Sequence, residues 1–452
     1  MRVAVLGAGI AGLTVAHALR RDAAARKLPF TLEVFEGSAR VGGRIHTTRE
    51  HGFLVEWGAN AFRTGLGPAR SLVDDLGLAG ERIEASPNAS RRYVFSKGAL
   101  HRLPAGPGSV LGFAPLSLGG RLRVFAEPLV AQRVSREETV LEYASRHIGP
   151  EAARVMLGTF VRGVYAGDAG KLSVDAAFPR MRELEKKHRS LVLAMAKERR
   201  ERKAIWTLRR GMGSLLERAA ESLDGAVFLK QPALRLSRLP EFSARIPFTV
   251  AFASGESRGY DAVVVALPPL EAAALLRDLD ADAAKTVREI PCAGVAMVAL
   301  GFRAEAFRGK PDGYGFLVAP GEDTPLLGAV FESNLFPERA PEGYVLVRGI
   351  LGGVARPDIV TLSDAALTGL ACQAIDRALG LKAGPERTWV VRQEGAIPQY
   401  TMGHRDRIAS VMSRLGAYPG LYIAGNAYRG ISVGSIVEDA EKVSEWVLHR
   451  AV

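Results

Sequence analysis

Arg2-Val-Ala-Val-Leu6-Gly7-Ala8-Gly9-Ile10-Ala11-Gly12-Leu13 is the stretch that decides the fold. Its first five residues are an apolar run of β-formers and predict a buried strand. Three glycines follow in Gly-x-Gly-x-x-Gly order, and the residues after them predict a helix through Leu19. Each glycine has a physical task. Gly7 permits a tight turn, Gly9 lets the backbone approach a pyrophosphate, and Gly12 lets the helix pack closely on the strand. The start of that helix offers free N–H groups and a positive dipole end to phosphate. A second strand is predicted over Thr31–Phe35, ending at Glu36, 24 residues after Gly12. A carboxylate there can accept hydrogen bonds from ribose hydroxyls. The combination predicts a Rossmann-like dinucleotide-binding domain touching its ligand through Gly7, Gly9, Ile10, Ala11, Gly12 and Glu36. The same opening, Met1-Arg2 and an apolar stretch to Ala18, also has the outline of a signal peptide. A cleaved leader would need neither the glycine spacing nor the downstream acid.

Moving outward, Arg40-Val-Gly-Gly43-Arg44 follows the acid directly, then Glu56-Trp-Gly-Ala-Asn60-Ala-Phe62. Paired glycines with a flanking arginine can wrap a pyrophosphate from its other side. Near the C-terminus, Pro419-Gly-Leu-Tyr-Ile-Ala-Gly-Asn426 reads as a strand delivering a Gly-Asn pair. Gly430-Ile-Ser-Val-Gly434 and a helix predicted over 435–450 come next. This extended pattern resembles the flavin amine oxidase superfamily and implies one noncovalent FAD per chain. The resemblance adds Arg40, Gly42, Gly43, Arg44, Gly58, Ala59, Asn60, Ala233, Gly425, Asn426, Ile431, Ser432 and Val433 to the cofactor contacts.

Composition bounds the remainder. The chain has 452 residues, is 48% hydrophobic and carries 49 glycines, which suits a multidomain α/β (α+β) protein. Cys292 and Cys372 are the two cysteines, far apart, which excludes a disulfide framework and a zinc ribbon and fits a reducing compartment. Neither a metal-ligand cluster nor a nucleophile with its base is visible in the sequence. Residues 1–85, 206–268 and 392–452 are assigned to the FAD domain, with strands at 228–236 and 260–267. Residues 86–205 lack strand alternation and read as a helical insertion. Residues 269–391 read as a mixed-sheet substrate domain, with strands at 294–302, 315–318 and 344–351.

The net charge is +12, of which +8 falls between Arg180 and Arg210. That stretch, with Leu184, Leu191, Met195 and Ile205 among the charges, reads as a basic helix. It suggests an anionic membrane surface, steering of an acidic substrate, or simply a solvated face. Nucleic acid is not expected, since no binding module accompanies the charge. With no apolar run of spanning length, the expectation is a cytoplasmic protein held peripherally at the inner face of the cell membrane.

Thr159-Phe-Val-Arg-Gly163-Val-Tyr-Ala-Gly167-Asp168 is similar to a segment of the protoporphyrinogen oxidases. So are Arg91-Arg92-Tyr93-Val94, Gly313-Tyr-Gly-Phe-Leu-Val318, Ile397-Pro-Gln-Tyr400 and Gly425-Asn426-Ala-Tyr428-Arg-Gly430. The set spans nearly the whole chain, and the myxobacterial type is nearest in pattern. The resemblance implies oxidation of protoporphyrinogen IX to protoporphyrin IX by hydride transfer to FAD, six electrons in three flavin cycles. Dioxygen is the acceptor and hydrogen peroxide the product. It implies that Arg92 grips a substrate propionate, that Leu317 and Ile350 line the macrocycle pocket, and that Asn60 and Gly163 lie against substrate. No catalytic side chain is assigned. A homodimer and sensitivity to diphenyl-ether-type inhibitors are also compatible with the family. Gly434-Ser435-Ile436, Gln393-Glu394 and Ile350 depart from the family's pattern. The alternatives are coproporphyrinogen III oxidation on the same fold and a non-catalytic FAD- or porphyrin-binding protein.

Overall fold

Alternate residues of the opening strand must face opposite ways, and both of its faces are apolar, so it belongs at the centre of a covered sheet. In the computed structural model, which describes residues 1–63, 67–197, 205–238, 247–309 and 311–449, that is its place. Among the described residues, Arg2–Leu6 is the middle strand of a parallel five-stranded sheet. The order is Val227–Phe228, Thr31–Phe35, Arg2–Leu6, Ala262–Val265, Leu421–Ile423. Val3 and Val5 pack under the helices Ile10–Ala25 and Val433–His449. Ala4 and Leu6 face the helix Pro269–Leu276 and an antiparallel three-stranded sheet. Gly12 is forced by this packing: a Cβ there would lie 1.8 Å from the Gly7 carbonyl oxygen.

A second, seven-stranded sheet runs Arg387–Pro398, Cys292–Arg303, Tyr344–Gly352, Leu326–Phe331, Gly315–Val318, Tyr93–Ser96, Ala99–Arg102. Neighbours are antiparallel except Gly315–Val318 beside Tyr93–Ser96, which makes the sheet mixed. The helix Asp364–Leu379 covers one face. The other face turns toward the strand Phe53–Glu56 and the helix Thr159–Tyr165.

Three expectations need correction. Residues 86–205 are not free of strands, because Tyr93–Ser96 and Ala99–Arg102 form a hairpin that extends the substrate sheet. Their period-2 signal is only four residues per strand, too short to stand out beside helices. The strand expected over 228–236 is two strands in different sheets, Val227–Phe228 and Ala233–Arg238, separated by Lys230 at φ 54. The basic helix expected over 180–210 is also broken. Pro179–His188 ends at Arg189, whose φ is 61, Leu191–Lys197 starts anew, and Ile205–Leu208 is a strand. Residues 198–204 lie outside the described residues.

The break has a cause. Glu127 reaches across to accept the Leu191 and Val192 N–H groups at 2.8 and 3.3 Å, capping the second helix with a carboxylate. Part of the basic charge is also consumed internally. Arg182 is buried among Glu138, Asp175 and Glu185 at 2.7–3.1 Å. His147, fully buried, sits between Glu127 and Glu185.

Candidate active site

Parallel strands leave their carboxyl ends on one edge of the sheet, and ligands of such sheets bind there. Three predicted elements converge on that edge. Gly7 to Gly12 follow the central strand, Glu36 ends its neighbour, and Gly425-Asn426 ends the last strand. Glu36 accepts the Ala8 N–H on one oxygen and the Ser38 N–H on the other, both at 2.9 Å. Each oxygen keeps a lone pair for a hydroxyl. Ala233 follows Pro232, which packs on Gly37, so it stands beside the same acid.

The two glycine segments touch. Gly42 N–H donates to the Ala8 carbonyl at 2.8 Å, and a Cβ on Gly43 would lie 3.3 Å from Gly9 Cα. Gly9 itself has open space where a side chain would stand. The helix beginning at Ile10 and Ala11 has no side-chain cap and no acid in its first turn. Its amides are therefore available to an anion. A cavity of about 270 Å³ beside Gly43 includes Arg40, Arg44, His46 and Arg392 in its lining and no carboxylate. Such a site accepts negative charge. The Arg44 guanidinium is held by the Gly395 and Ala396 carbonyls at 2.7 and 2.8 Å. Burial disfavours its charged form, which sharpens its need for anionic company. These features fit FAD, whose diphosphate and ribose would lie along Gly7–Gly12, Glu36 and Gly42–Arg44.

Ile431, Ser432 and Val433 lead into the closing helix, with the Ser432 hydroxyl accepting the Ser435 N–H at 3.1 Å. Tyr400 fixes this end: its hydroxyl donates to the Asn426 carbonyl at 2.6 Å and accepts the Gly430 N–H at 2.8 Å. Gln399 beside it donates to the Tyr165 carbonyl at 2.7 Å. His404 stacks on the Tyr400 ring, centroids 4.1 Å apart, and burial pushes its pKa down to about 4.

The expected substrate residues meet on the face of the second sheet opposite the helix Asp364–Leu379. Leu317 is in register with Gly328, and Gly328 with Ile350. Gly163, on the helix Thr159–Tyr165, lies against Leu317 so closely that a Cβ would come within 2.4 Å of it. Arg92 stands at the start of the Tyr93–Ser96 strand, its guanidinium 5.2 Å from the Tyr314 ring centroid. Arg91, its neighbour, is engaged with Asp312 at 2.6 Å.

Between the two halves runs the loop containing Gly58, Ala59 and Asn60, braced by side chains that the sequence reading missed. Glu56 pairs with Arg339 at 2.9 Å, both 1% exposed. Burial raises the Glu56 pKa, and the arginine opposes that shift. Thr207 accepts from Arg339 and donates to the Asn60 carbonyl, both at 2.9 Å. Arg348 pairs with Glu332 at 2.7 Å and donates to the Gly58 carbonyl at 3.1 Å. Gln393 donates to the Trp57 carbonyl at 2.6 Å. The available signal was a charge inside an apolar strand, as in Val345-Leu-Val-Arg348-Gly-Ile-Leu351.

The chain belongs to the family of flavin containing amine oxidoreductases, whose model matches residues 10–448. It is an FAD-dependent oxidoreductase. Within that class it is 31% identical to chloroplastic protoporphyrinogen oxidase 1 of Arabidopsis thaliana, over 96% of this chain and 86% of the relative. It is 28% identical to coproporphyrinogen III oxidase of Bacillus subtilis (strain 168), over 97% and 96%. Its fold matches a structure from Exiguobacterium sp. 255-15, provisionally assigned as a protoporphyrinogen oxidase. The TM-score there is 0.87 at 24% identity, over 99% of both chains. Among the described residues, no helix is long and apolar enough to cross a membrane.

Proposed function

We propose that this protein oxidises protoporphyrinogen IX to protoporphyrin IX with dioxygen as acceptor, releasing one hydrogen peroxide per two electrons. The observation that carries the reading is the sheet face of Leu317, Gly328 and Ile350 pressed by Gly163, with Arg92 at its rim. Apolar residues edged by a guanidinium suit a flat macrocycle bearing carboxylates, because arginine can grip a carboxylate with two parallel hydrogen bonds. The full-length likeness to enzymes named for this substrate supports it. FAD, when bound, supplies the hydride acceptor and passes electrons to dioxygen. The chain's own part is to orient the macrocycle, exclude water and hold the cofactor. Purified holoenzyme supplied with protoporphyrinogen IX should form fluorescent porphyrin with three peroxides per porphyrin. Porphyrin formed only at the rate of the enzyme-free control would refute the reading.

A second reading, oxidation of coproporphyrinogen III to coproporphyrin III, is favoured by the Bacillus subtilis relative, matched end to end. A kcat/KM tenfold higher for the more carboxylated substrate would select it. The FAD is proposed to be noncovalent, one per chain, and acid precipitation should release it from the pellet.

Peripheral attachment to the cytoplasmic membrane face belongs to the same proposal. Leu118, Leu122, Phe125 and Leu129 follow at steps of four, three and four along two consecutive helices and are all exposed, Leu129 by 84%. This apolar stripe supports a lipid contact better than the broken basic segment does. Binding to anionic vesicles should exceed binding to neutral ones and weaken with salt. Equal binding to both would remove the electrostatic part.

A further inference from the structure

Asn60 stands where the cofactor loop meets the substrate sheet, and a buried ion pair dictates which way its amide points. Its Nδ2 lies 3.3 and 3.4 Å from the two oxygens of Glu332. Glu332 is 1% exposed and pairs with Arg348, 3% exposed, at 2.7 Å. An ionised carboxylate only accepts hydrogen bonds. The Asn60 amide must therefore turn its N–H groups to Glu332 and its carbonyl oxygen away, since the flipped amide would set oxygen against oxygen. The Thr207 bond to the Asn60 carbonyl and the Arg348 bond to the Gly58 carbonyl stop the loop from rotating to escape this.

The elements around Asn60 are those of the substrate face. Tyr314 stands beside the Asn60 side chain and carries Arg92 over its ring. Arg348 precedes Ile350 by two residues on the same strand, hence on the same face. The centre of a porphyrinogen offers only pyrrole N–H donors. A site that holds it by its centre needs an acceptor that cannot flip into a donor.

We propose that Glu332 is a positioning residue that locks Asn60 as a hydrogen-bond acceptor for the pyrrole N–H groups of the substrate. This rests on the porphyrinogen reading above. Arg348 pairs with Glu332, and the Glu332 carboxylate keeps the Asn60 Nδ2 turned toward itself. The charge pair thus acts on the substrate through an amide, without touching it.

The test uses flavin-loaded enzyme and protoporphyrinogen IX, with FAD content and thermal midpoint measured on each variant. Glu332→Gln lets residue 332 donate to the Asn60 side-chain Oδ1, so Asn60 can flip and present N–H to N–H. At unchanged FAD content, kcat/KM should fall roughly tenfold or more, the scale of one misdirected buried hydrogen bond. Asn60→Leu leaves the ion pair alone and should lose as much. The double variant Glu332→Gln with Asn60→Asp keeps one carboxylate in the 60/332 pair and again presents only an acceptor at residue 60. It should recover at least a third of wild-type kcat/KM, whether or not the single Glu332→Gln protein folds. A purely structural ion pair predicts instead that activity tracks FAD content and thermal midpoint in every variant. Wild-type kinetics in fully flavinated Glu332→Gln, or no recovery in the double variant, would overturn the inference while leaving the porphyrinogen reading intact. If wild type fails to oxidise the porphyrinogen, both fall together.

Discussion

The dinucleotide end and the substrate end of this site are built by different rules. At the first, function lies in backbone: Gly12, which admits no Cβ, Gly9, which leaves open space, a helix start without a cap, and one acid at the end of the adjacent strand, held by local contacts. At the second, the proposed substrate site, the residues come from 56–60, 92, 163, 207, 314–317 and 332–350 and act mainly through side chains. The difference teaches that a backbone site is written in short spacings, whereas a side-chain site is written in pairings between distant strands.

The sharpest way to break the comparison is at the glycines. Gly12→Val should abolish FAD content and leave little folded protein, because its Cβ would sit 1.8 Å from the Gly7 carbonyl oxygen. Gly9→Ala has free space and a φ of −77, so the fold should keep its thermal midpoint while FAD retention drops. Equal damage from both would show that Gly9 is structural as well.

At the other end, Arg339→Leu leaves Glu56 buried without its cation. That should cost about 3–5 kcal/mol in denaturant unfolding. A loss below about 1 kcal/mol would mean that the pair does not brace the loop.

His404 offers a pH test between the two. Its folded pKa is held near 4, below its ordinary 6.5, by burial. Between those values the unfolded chain binds a proton that the folded one does not. Stability should therefore fall as pH drops from about 6.5 toward 4 and level off below, by roughly 3 kcal/mol at most. His404→Gln should flatten that part of the curve. A variant with the wild-type pH slope would mean that the histidine already carries its proton in the fold.

Smaller in free energy is Arg92→Ala, which should raise KM for protoporphyrinogen roughly ten- to a hundredfold, about 1.5–3 kcal/mol for a lost charge-assisted bond. Turnover at saturation should fall less, and FAD content should not change. Arg92→Lys should recover part of the loss. An unchanged KM would move the propionate contact elsewhere. Smallest is Tyr400→Phe, which removes one hydroxyl between Asn426 and Gly430. It should cost about 1 kcal/mol of stability and loosen FAD severalfold, read by cofactor release on dilution.

Legibility in the sequence followed the same division. The opening strand, its helix, the strand ending at Glu36, the Gly-Gly-Arg turn and the closing helix were readable because each is local. The strands at 315–318 and 344–352 were readable from alternation, but not that Tyr93–Ser96 would pair beside them in parallel. Glu127 capping a helix more than sixty residues away, and so breaking the basic segment at Arg189, leaves no local trace. Arg348 shows only as a charge inside an apolar strand, and Glu332, at the start of a short helix, looks like a surface charge until the fold sets it against that strand.

The central claim is that the backbone end holds a flavin which the side-chain end supplies with a porphyrinogen. Anaerobic stopped-flow mixing of the oxidised holoenzyme with protoporphyrinogen IX tests it most directly, with coproporphyrinogen III run in parallel. The account predicts bleaching of the flavin absorbance within the turnover time, faster with protoporphyrinogen IX, and recovery of the oxidised spectrum with peroxide when air is admitted. A flavin that stays oxidised in the presence of both porphyrinogens would contradict it.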